Sequence, residues 1–454
     1  MKLAELGSEP IPSGLDLSEE VLIGADLCGE LPRLASEHAG PKPLWLADPR
    51  TWGALCAADP HRDSGRPEAG PELHLLCEDP HADTERVGQA CAIVEGGGFS
   101  GIIAVGAGTV NDIAKMASTL SGVPYLVFAT AASMNGYASG IAAILVDGLK
   151  TTLEARPPRA IVLDSAVLAA APPQLAAAGL GDLLSKPVSS ADWCLGNRLE
   201  GSGFDALPGL IVDEAVALAA RHARGLPAGE AAAHEALARA LVLSGVSMVV
   251  AGSSSAASGG EHLLSHLWDM EALISGRNLR LHGAQVGVAT CLSAALYHLL
   301  IGLESPDFPK TPDWARTSER IRIAHGELAD VVLPQAEKKF AGFAQRSSLL
   351  RDEWPEIRAE LATLGIPSAD ELRAILQAAK APASLEELGI ERDEAFDSLS
   401  RARDIRDRYT VLDLAFELGF FPAGIRQVLA SSRVCPGKTA VVAESLFLAG
   451  ECFP

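Results

Sequence analysis

The sequence predicts an α/β nucleotide-binding domain with a mostly parallel sheet, followed by an all-helical domain. Up to about residue 195, short apolar runs of strand length alternate with helical patterns long enough to serve as crossovers between parallel strands. From residue 196 the pattern changes to an Ala- and Leu-rich helical periodicity. We therefore divide the 454-residue chain into an α/β domain over 1–195 and a helical domain over 196–454.

Five apolar runs are predicted to be the buried strands of the sheet, since each is four to eight residues long and is bounded by turn residues. They are Pro43–Ala47, 72–77, 101–105, 124–130 and 159–163. Helices are predicted in the second half over 213–224, 229–247, 262–274, 284–300, 316–342, 370–381, 385–388 and 393–418.

The composition argues against several classes of partner. The chain has 37 Lys and Arg against 58 Asp and Glu, a formal charge of −21, which repels the phosphate backbone of nucleic acids. The N-terminus lacks a secretory signal pattern, and no apolar run of membrane-spanning length is free of Gly, Pro or charge. We therefore expect a cytoplasmic protein that has no nucleic-acid partner and no membrane span.

A first candidate ligand site is GIIAVGAGTVNDIAK, residues 101–115. A strand is followed by a small-residue turn and then by a helix. Small residues allow backbone N–H groups to approach phosphate oxygens, and a helix N-terminus adds partial positive charge, so a diphosphate fits there. The spacing matches neither the GxGxxG fingerprint nor a P-loop. On spacing alone, a tight turn without a ligand is an equal alternative.

A second small-residue stretch, TAASMNGYAS over 130–139, follows the next predicted strand. Two adjacent parallel strands that end in such loops form a crevice at their carboxyl ends, where open α/β sheets bind nucleotides. Hydroxyl-rich surface turns are the alternative explanation for this stretch alone.

Three residues with metal-ligating side chains are spread along the chain: Asp182 in GLGDLLSK, His262 in GGEHLLSHLW and His282 in LHGAQVG. Two imidazoles and one carboxylate leave an open coordination position, as at catalytic zinc sites. His266 follows His262 by four residues and projects from the same helix face. Spacing does not establish such a site, because a histidine on an apolar helix is more often a hydrogen-bonded core residue.

Taken together, GAGTVNDIAK, ATAASMNGYAS, GLGDLLSKPVSSADW, SGGEHLLSHLWDM and LHGAQVGV resemble the sn-glycerol-1-phosphate dehydrogenases, within the superfamily of iron-containing alcohol dehydrogenases and dehydroquinate synthases. The resemblance covers about 43–290 and reappears at 402–418, whereas 302–401 shows little that aligns. The resemblance implies that the α/β domain over 1–195 binds the dinucleotide and that the helical domain over 196–454 binds the metal and the substrate. The metal would lie between the two domains.

The resemblance also implies the roles of individual residues. The cofactor NAD or NADP would contact Asp48, Gly106, Ala107, Gly108, Thr109, Val110, Thr130, Ala131, Ala132, Ser133 and Ser139. A divalent metal, zinc or nickel, would be held by Asp182, His262 and His282. Asp182 and His266 would be catalytic. The substrate would meet Asn135, Asp182, Lys186 and His266.

Three of these residues have alternative roles. Asp48 would favour NAD by repelling a 2′-phosphate, or it forms a turn. Asn135 stands where many relatives have Asp, and it can still bond a hydroxyl group without adding charge. Lys186 would offer positive charge to a substrate phosphate from the helical face of Asp182, or it is a solvated lysine at a helix end before Pro187.

The implied activity is reversible reduction of dihydroxyacetone phosphate to sn-glycerol 1-phosphate, in which the metal polarises the C2 oxygen. A glycerol or polyol dehydrogenase, a dehydroquinate-synthase-like lyase and a non-enzymatic sensor are the alternatives. We also expect a homo-oligomer, whose subunit number the sequence does not give.

Overall fold

The structure is a computed structural model that describes residues 6, 7, 9–59, 72–146 and 149–435. Six parallel strands form one sheet in the order β1-β8-β5-β4-β2-β3, and β6 and β7 form a separate antiparallel hairpin. The strands are β1 (Glu20–Gly24), β2 (Pro43–Ala47), β3 (Leu73–Leu75), β4 (Gly101–Gly106), β5 (Tyr125–Ala129), β6 (Ile141–Val146), β7 (Leu149–Glu154) and β8 (Ala160–Asp164).

Helices cover the sheet and make up the rest of the described chain after β8. They are α1 (Leu31–His38), α2 (Pro49–Ala58), α3 (Thr84–Gly97), α4 (Gly108–Ser121), α5 (Ser165–Ala170), α6 (Pro173–Leu183), α7 (Lys186–Glu200), α8 (Leu207–Arg221), α9 (Ala231–Ala251), α10 (Gly260–Ile274), α11 (His282–Ile301), α12 (Trp314–His325), α13 (Ala329–Ala341), α14 (Phe343–Ala362), α15 (Ala369–Ala378), α16 (Arg392–Arg401), α17 (Val411–Glu417) and α18 (Ile425–Ser431).

The predicted fold class is confirmed, and the five predicted strands are the sheet strands β2, β3, β4, β5 and β8. The sequence analysis missed β1 and the hairpin. β1 is an edge strand in which Val21 alone is fully buried, so it gives little apolar signal. β7 reads LKTTLE, and its polar side chains leave no apolar run to detect.

Four helix predictions were wrong in detail. The helix over 316–342 is interrupted at Gly326, whose φ of 52° ends α12. The helix over 393–418 is broken after α16, where Arg406 has extended backbone and α17 begins anew. Residues 385–388 form a turn. Helix α14 was not predicted because a non-helical Glu353 and Pro355 interrupt its periodicity.

The division into two domains at residue 195 stays a prediction, since α7 passes through this position from Lys186 to Glu200. Two helices, α9 and α11, are long and apolar enough to cross a membrane by length and composition. However, 78% and 83% of their most apolar stretches are buried inside the fold. This burial fits core helices of the second half of the chain.

The carboxyl ends of three neighbouring strands bring the predicted cofactor loops together. Gly106 at the end of β4 pairs with Ala129 at the end of β5, and Ala47 at the end of β2 pairs with Val105. The next residues along the chain, Asp48 and Thr130, therefore lie on the same edge of the sheet as the glycine turn. This edge is where parallel α/β sheets place their ligands.

Helices α6 and α11 cross at a contact that only glycine permits. A Cβ atom on Gly283 would lie 1.9 Å from the carbonyl oxygen of Ala178, and one on Gly181 would lie 2.2 Å from that of Gly283. Because a backbone oxygen cannot move aside, any side chain would force the helices apart. The crossing places Asp182, next to Gly181, beside His282, the first residue of α11.

We expect Gly283→Ala to push α6 away from α11, which should lower the free energy of unfolding by about 1–3 kcal/mol, the usual effect of overpacking. It should also weaken divalent-metal binding. The control is Gly88→Ala in α3, where a Cβ atom would meet nothing within 4 Å. Thermal unfolding and metal titration of both variants test this, and equal behaviour would show that the crossing tolerates a side chain.

Candidate active site

Three residues far apart in sequence converge on one point. Asp182 near the end of α6, His262 in the first turn of α10 and His282 at the start of α11 each offer one ligand atom, and these atoms all lie within 4.8 Å of one another. Nε2 of His262 lies 3.4 Å from Oδ1 of Asp182. The predicted set of a carboxylate and two imidazoles is therefore assembled by the fold.

Each imidazole is oriented by a neighbouring polar side chain. Nδ1 of His262 lies 2.8 Å from Oε1 of the fully buried Glu261, and Nδ1 of His282 lies 3.1 Å from Oγ of Ser265. The same Glu261 oxygen accepts a hydrogen bond from the backbone N–H of Gly259 at 2.8 Å. Such outer partners fix the ring orientation, so Nε2 of each histidine is left to act as the ligand atom.

The protonation states of Asp182 and His282 are those that metal ligands require. Burial alone would raise the pKa of Asp182, but the charge of Lys186 and the imidazole of His262 lower it below its ordinary value, so the carboxylate is ionised. Burial, followed by the charge of Lys150, holds the pKa of His282 well below its ordinary value. His282 is therefore neutral, as a metal ligand must be.

His262 differs from His282 because it faces two carboxylates. Burial would lower the pKa of His262, but Asp182 and Glu261 outweigh burial and raise it. Oδ1 of Asp182, which points to this imidazole, is buried and accepts no hydrogen bond from the described residues. A buried carboxylate oxygen that lacks a donor and lies beside two imidazoles is suited to a cation, so the donor set fits a divalent metal.

The metal cluster, by which we mean the side chains of Asp182, His262 and His282, is in direct contact with the second candidate cofactor loop, residues 130–139. The backbone N–H of Asn135 donates to Oδ2 of Asp182 at 3.2 Å. The loop is held from below by the buried Lys115 of α4, whose Nζ donates to the carbonyl oxygens of Ser139 at 2.9 Å and Ile141 at 3.0 Å. The loop therefore connects the carboxyl edge of the sheet to the metal cluster.

The residues predicted to contact the cofactor lie along that edge with different exposures. Ala107, Gly108 and Thr109 are partly exposed at the start of α4, where the first backbone N–H groups of a helix have no partner within it. The others are more enclosed: Gly106, Val110, Thr130, Ala131, Ala132 and Ser139 are buried, and Ser133 is partly buried. The hydroxyl of Ser139 already contacts Nζ of Lys115 at 3.2 Å.

Asp48 performs the turn-forming role that the sequence analysis left open. Its Oδ1 accepts from the backbone N–H groups of Arg50 at 2.8 Å and Thr51 at 2.9 Å, which caps α2. It still lies at the carboxyl end of β2 on the cofactor edge. Its contact with a ribose stays a prediction.

His266 lies beside the metal cluster, and Lys186 lies beneath it. The ring centroid of His266 is 5.5 Å from that of His282 and 6.1 Å from that of His262. The solvated alternative for Lys186 was wrong, because its side chain is 1% exposed and it begins α7 rather than ending a helix.

The contacts of Lys186 point to an internal role. Its Nζ donates to the carbonyl oxygen of Ala257 at 3.0 Å and lies 3.9 Å from Oδ1 of Asp182. These contacts stabilise the charge of Asp182 from inside the protein. The predicted contact of Lys186 with a substrate phosphate gains no support from them.

The sequence analysis missed one residue that touches a predicted ligand. Glu261 directly precedes His262, and a glutamate among Gly and apolar residues at a helix start is the signal that could have revealed it. A carboxylate that is 0% exposed requires a partner. Here the partner is an imidazole of the metal cluster.

Comparisons with known proteins identify the family of the chain. The model of the iron-containing alcohol dehydrogenase family matches residues 22–172. A curated glycerol-1-phosphate dehydrogenase (NAD(P)+) of Bacillus velezensis is 30% identical over 403 residues, which cover 88% of this chain and 91% of that protein. The chain belongs to the glycerol-1-phosphate dehydrogenase family. It is accordingly an oxidoreductase of a family named for NAD(P).

Other members of this family are found in archaea. The glycerol-1-phosphate dehydrogenase of Thermococcus kodakarensis is 34% identical over 292 residues, or 62% of this chain and 79% of that protein. Among solved structures, a probable glycerol dehydrogenase from Sinorhizobium meliloti superposes with a TM-score of 0.62 over 93% of this chain and all of its own. That structure is 17% identical, so it supports the fold alone.

We expect Asp182→Ala, His262→Ala and His282→Ala each to weaken divalent-metal binding by more than the ~10–100-fold typical of changes to outer partners. His266→Ala is the matched control, since His266 lies on α10 one turn beyond His262 but outside the ligand cluster. Metal content after dialysis, measured by mass spectrometry, distinguishes these cases. Full metal content in all three ligand variants would refute the site.

We expect Glu261→Gln to lower metal affinity by ~10–100-fold, because the partner that fixes the ring of His262 loses its charge. The control is Glu271→Gln at the other end of α10, where the carboxylate pairs with Arg401. Competition with a chelating dye measures the dissociation constant of each variant. Unchanged affinity in Glu261→Gln would show that the ring of His262 is held by other contacts.

Proposed function

We propose that the protein is an NAD(P)-dependent sn-glycerol-1-phosphate dehydrogenase that interconverts dihydroxyacetone phosphate and sn-glycerol 1-phosphate. The observation that carries this proposal is the hydrogen bond from the backbone of Asn135 to Asp182. It joins the loop at the carboxyl end of β5 to the cluster of metal-ligating side chains. Hydride transfer requires a nicotinamide and a polarised carbonyl group side by side, and this junction provides for both.

Each part of the site has a chemical task in this proposal. A divalent metal held by Asp182, His262 and His282 supplies Lewis acidity, which stabilises negative charge that develops on the C2 oxygen. The small residues at the start of α4 leave backbone N–H groups open to the cofactor diphosphate. Asn135, at the end of the second loop, lies where it can hydrogen-bond a substrate hydroxyl group.

His266 is assigned to the transfer of the proton. Burial lowers the pKa of His266 well below its ordinary value, so its ring is neutral at physiological pH. Its Nδ1 is buried and has no hydrogen-bond partner among the described residues. A neutral imidazole beside the metal cluster can hydrogen-bond the substrate and relay its proton.

The proposed cellular location follows from the net charge of the chain and from the burial of its two long apolar helices. We place it in the cytoplasm, where a chain of charge −21 with its two long apolar helices mainly buried acts on a small phosphorylated metabolite. The homo-oligomer expected from the sequence stays a proposal, as do zinc or nickel as the metal and Asp48 as a ribose contact.

The decisive assay is NADH or NADPH oxidation with dihydroxyacetone phosphate, followed by determination of the glycerol phosphate enantiomer formed. We expect net cofactor oxidation and the sn-1 product. His266→Ala should retain its metal and lose ~100-fold or more in kcat, which is within the usual contribution of general acid–base catalysis.

Three results would contradict the proposal. Faster turnover of glycerol or dihydroxyacetone than of their phosphorylated forms would identify a polyol dehydrogenase. Absence of any net change in NADH absorbance with a metal-loaded, correctly folded enzyme would favour a lyase or a sensor. Formation of the sn-3 enantiomer would mean that hydride reaches the opposite face of the substrate carbonyl group.

A further inference from the structure

We propose that Lys150 and Arg406 bind the phosphate group of the substrate. This inference rests on the proposed function, which requires an anionic substrate to enter a protein of net charge −21. Positive charge must therefore be placed locally. Lys186 is committed to Asp182 and to the backbone of Ala257, so the phosphate requires other cations.

Lys150 pairs with Asp269, which lies one helical turn from His266 on α10. On the hairpin strand β7, its Nζ lies 3.2 Å from Oδ2 of Asp269, and its side chain is 23% exposed. Asp269 follows His266 by three residues on α10 and therefore lies on the same face of that helix. The ammonium group is thus held next to the residue assigned to face the substrate.

Asp269 positions this ammonium group without using all of its donors. The other carboxylate oxygen of Asp269 accepts from Nε2 of Gln285 at 2.6 Å, and Gln285 follows His282 by three residues on α11. A lysine ammonium has three N–H donors. Among the described residues Asp269 is its one hydrogen-bond partner, so we assign the other two donors to phosphate oxygens.

Contacts made by residues on both sides of Arg406 place it beside the same helix, α10. Arg401 pairs with Glu271 near the end of α10 at 2.7 Å, and Arg408 donates to Ser254 at 2.8 Å, ahead of the start of α10. The chain between Arg401 and Arg408 therefore runs along α10 in the opposite direction. Arg406 lies between these anchors, alongside the middle of the helix.

The guanidinium of Arg406 has no close ion-pair partner among the described residues, and only the charge of Asp407 acts on it from farther away. Within the described part of the chain it forms no hydrogen bond and lies within ion-pair distance of no carboxylate, although the neighbouring Arg401, Arg403 and Arg408 all have partners. The side chain is partly buried, and burial lowers the pKa of Arg406 from its ordinary value. A half-buried arginine without a partner is costly to keep unless an anion binds it.

Both cations are placed by contacts along the same helix. The salt bridge from Lys150 to Asp269, and the contacts of Arg401 and Arg408 on either side of Arg406, set both cations beside α10, which carries His262 and His266. We therefore expect both cations to lie near the predicted reacting centre. A planar guanidinium binds two phosphate oxygens at once, and an ammonium provides a compact charge, so the pair suits a phosphate dianion.

The test uses Lys150→Gln and Arg406→Gln in the metal-loaded enzyme. Glutamine at 150 can still donate to Asp269, which limits damage to folding. Lys42→Gln is the control, because Lys42 precedes β2 at the opposite edge of the sheet. Steady-state kinetics are measured with dihydroxyacetone phosphate and with dihydroxyacetone, and phosphate binding is measured by calorimetry with inorganic phosphate.

We expect each variant to raise KM for dihydroxyacetone phosphate by ~10–100-fold, the effect of losing a hydrogen bond to a charged group. It should change the turnover of dihydroxyacetone, which has no phosphate group, far less, and it should weaken the binding of inorganic phosphate. Lys150→Arg should restore part of the loss. Unchanged KM and phosphate affinity in an active parent enzyme would overturn the inference. An inactive parent with the phosphorylated substrate would instead refute the proposed function.

Discussion

The structure depends on one buried carboxylate. Asp182 is 2% exposed and lies where the end of α6, the start of α10, the start of α11 and the second cofactor loop meet. An unpaired charge at such a position would be very costly, so everything around it has to compensate. Lys186 supplies a permanent counter-charge from below, Asn135 supplies a backbone donor, and His262 and His282 complete a ligand set for a cation.

The fold makes this meeting point possible through close backbone contacts. Gly181 and Gly283 let α6 and α11 touch. A Cβ atom on Gly179 would lie 2.0 Å from the carbonyl oxygen of Ala132, so the second cofactor loop also packs directly against α6. The same short helix therefore carries the ligand Asp182, receives the cofactor loop and supports the second half of the chain. The arrangement of the candidate metal ligands and of this loop thus depends on glycine positions that offer no ligand atom themselves.

The sequence predicted the parallel sheet, both loops and the three metal-ligating residues, because buried strands and the family motifs leave clear local patterns. It could not predict features that depend on distant contacts. Lys186 precedes a proline and resembles a lysine at a helix end, yet it is buried, because the carbonyl oxygen of Ala257, 71 residues away, accepts a hydrogen bond from its Nζ. Arg406 was assigned to a continuous helix, since the break after α16 is imposed by packing against α10 rather than by Pro or Gly.

The most direct test is anomalous X-ray diffraction from crystals of the metal-loaded enzyme with NAD(P) bound. The account predicts one anomalous peak within bonding distance of Oδ1 of Asp182 and Nε2 of both His262 and His282, with the nicotinamide beside it and the diphosphate at the start of α4. A peak elsewhere, or a cofactor bound away from the carboxyl edge of the sheet, would contradict it.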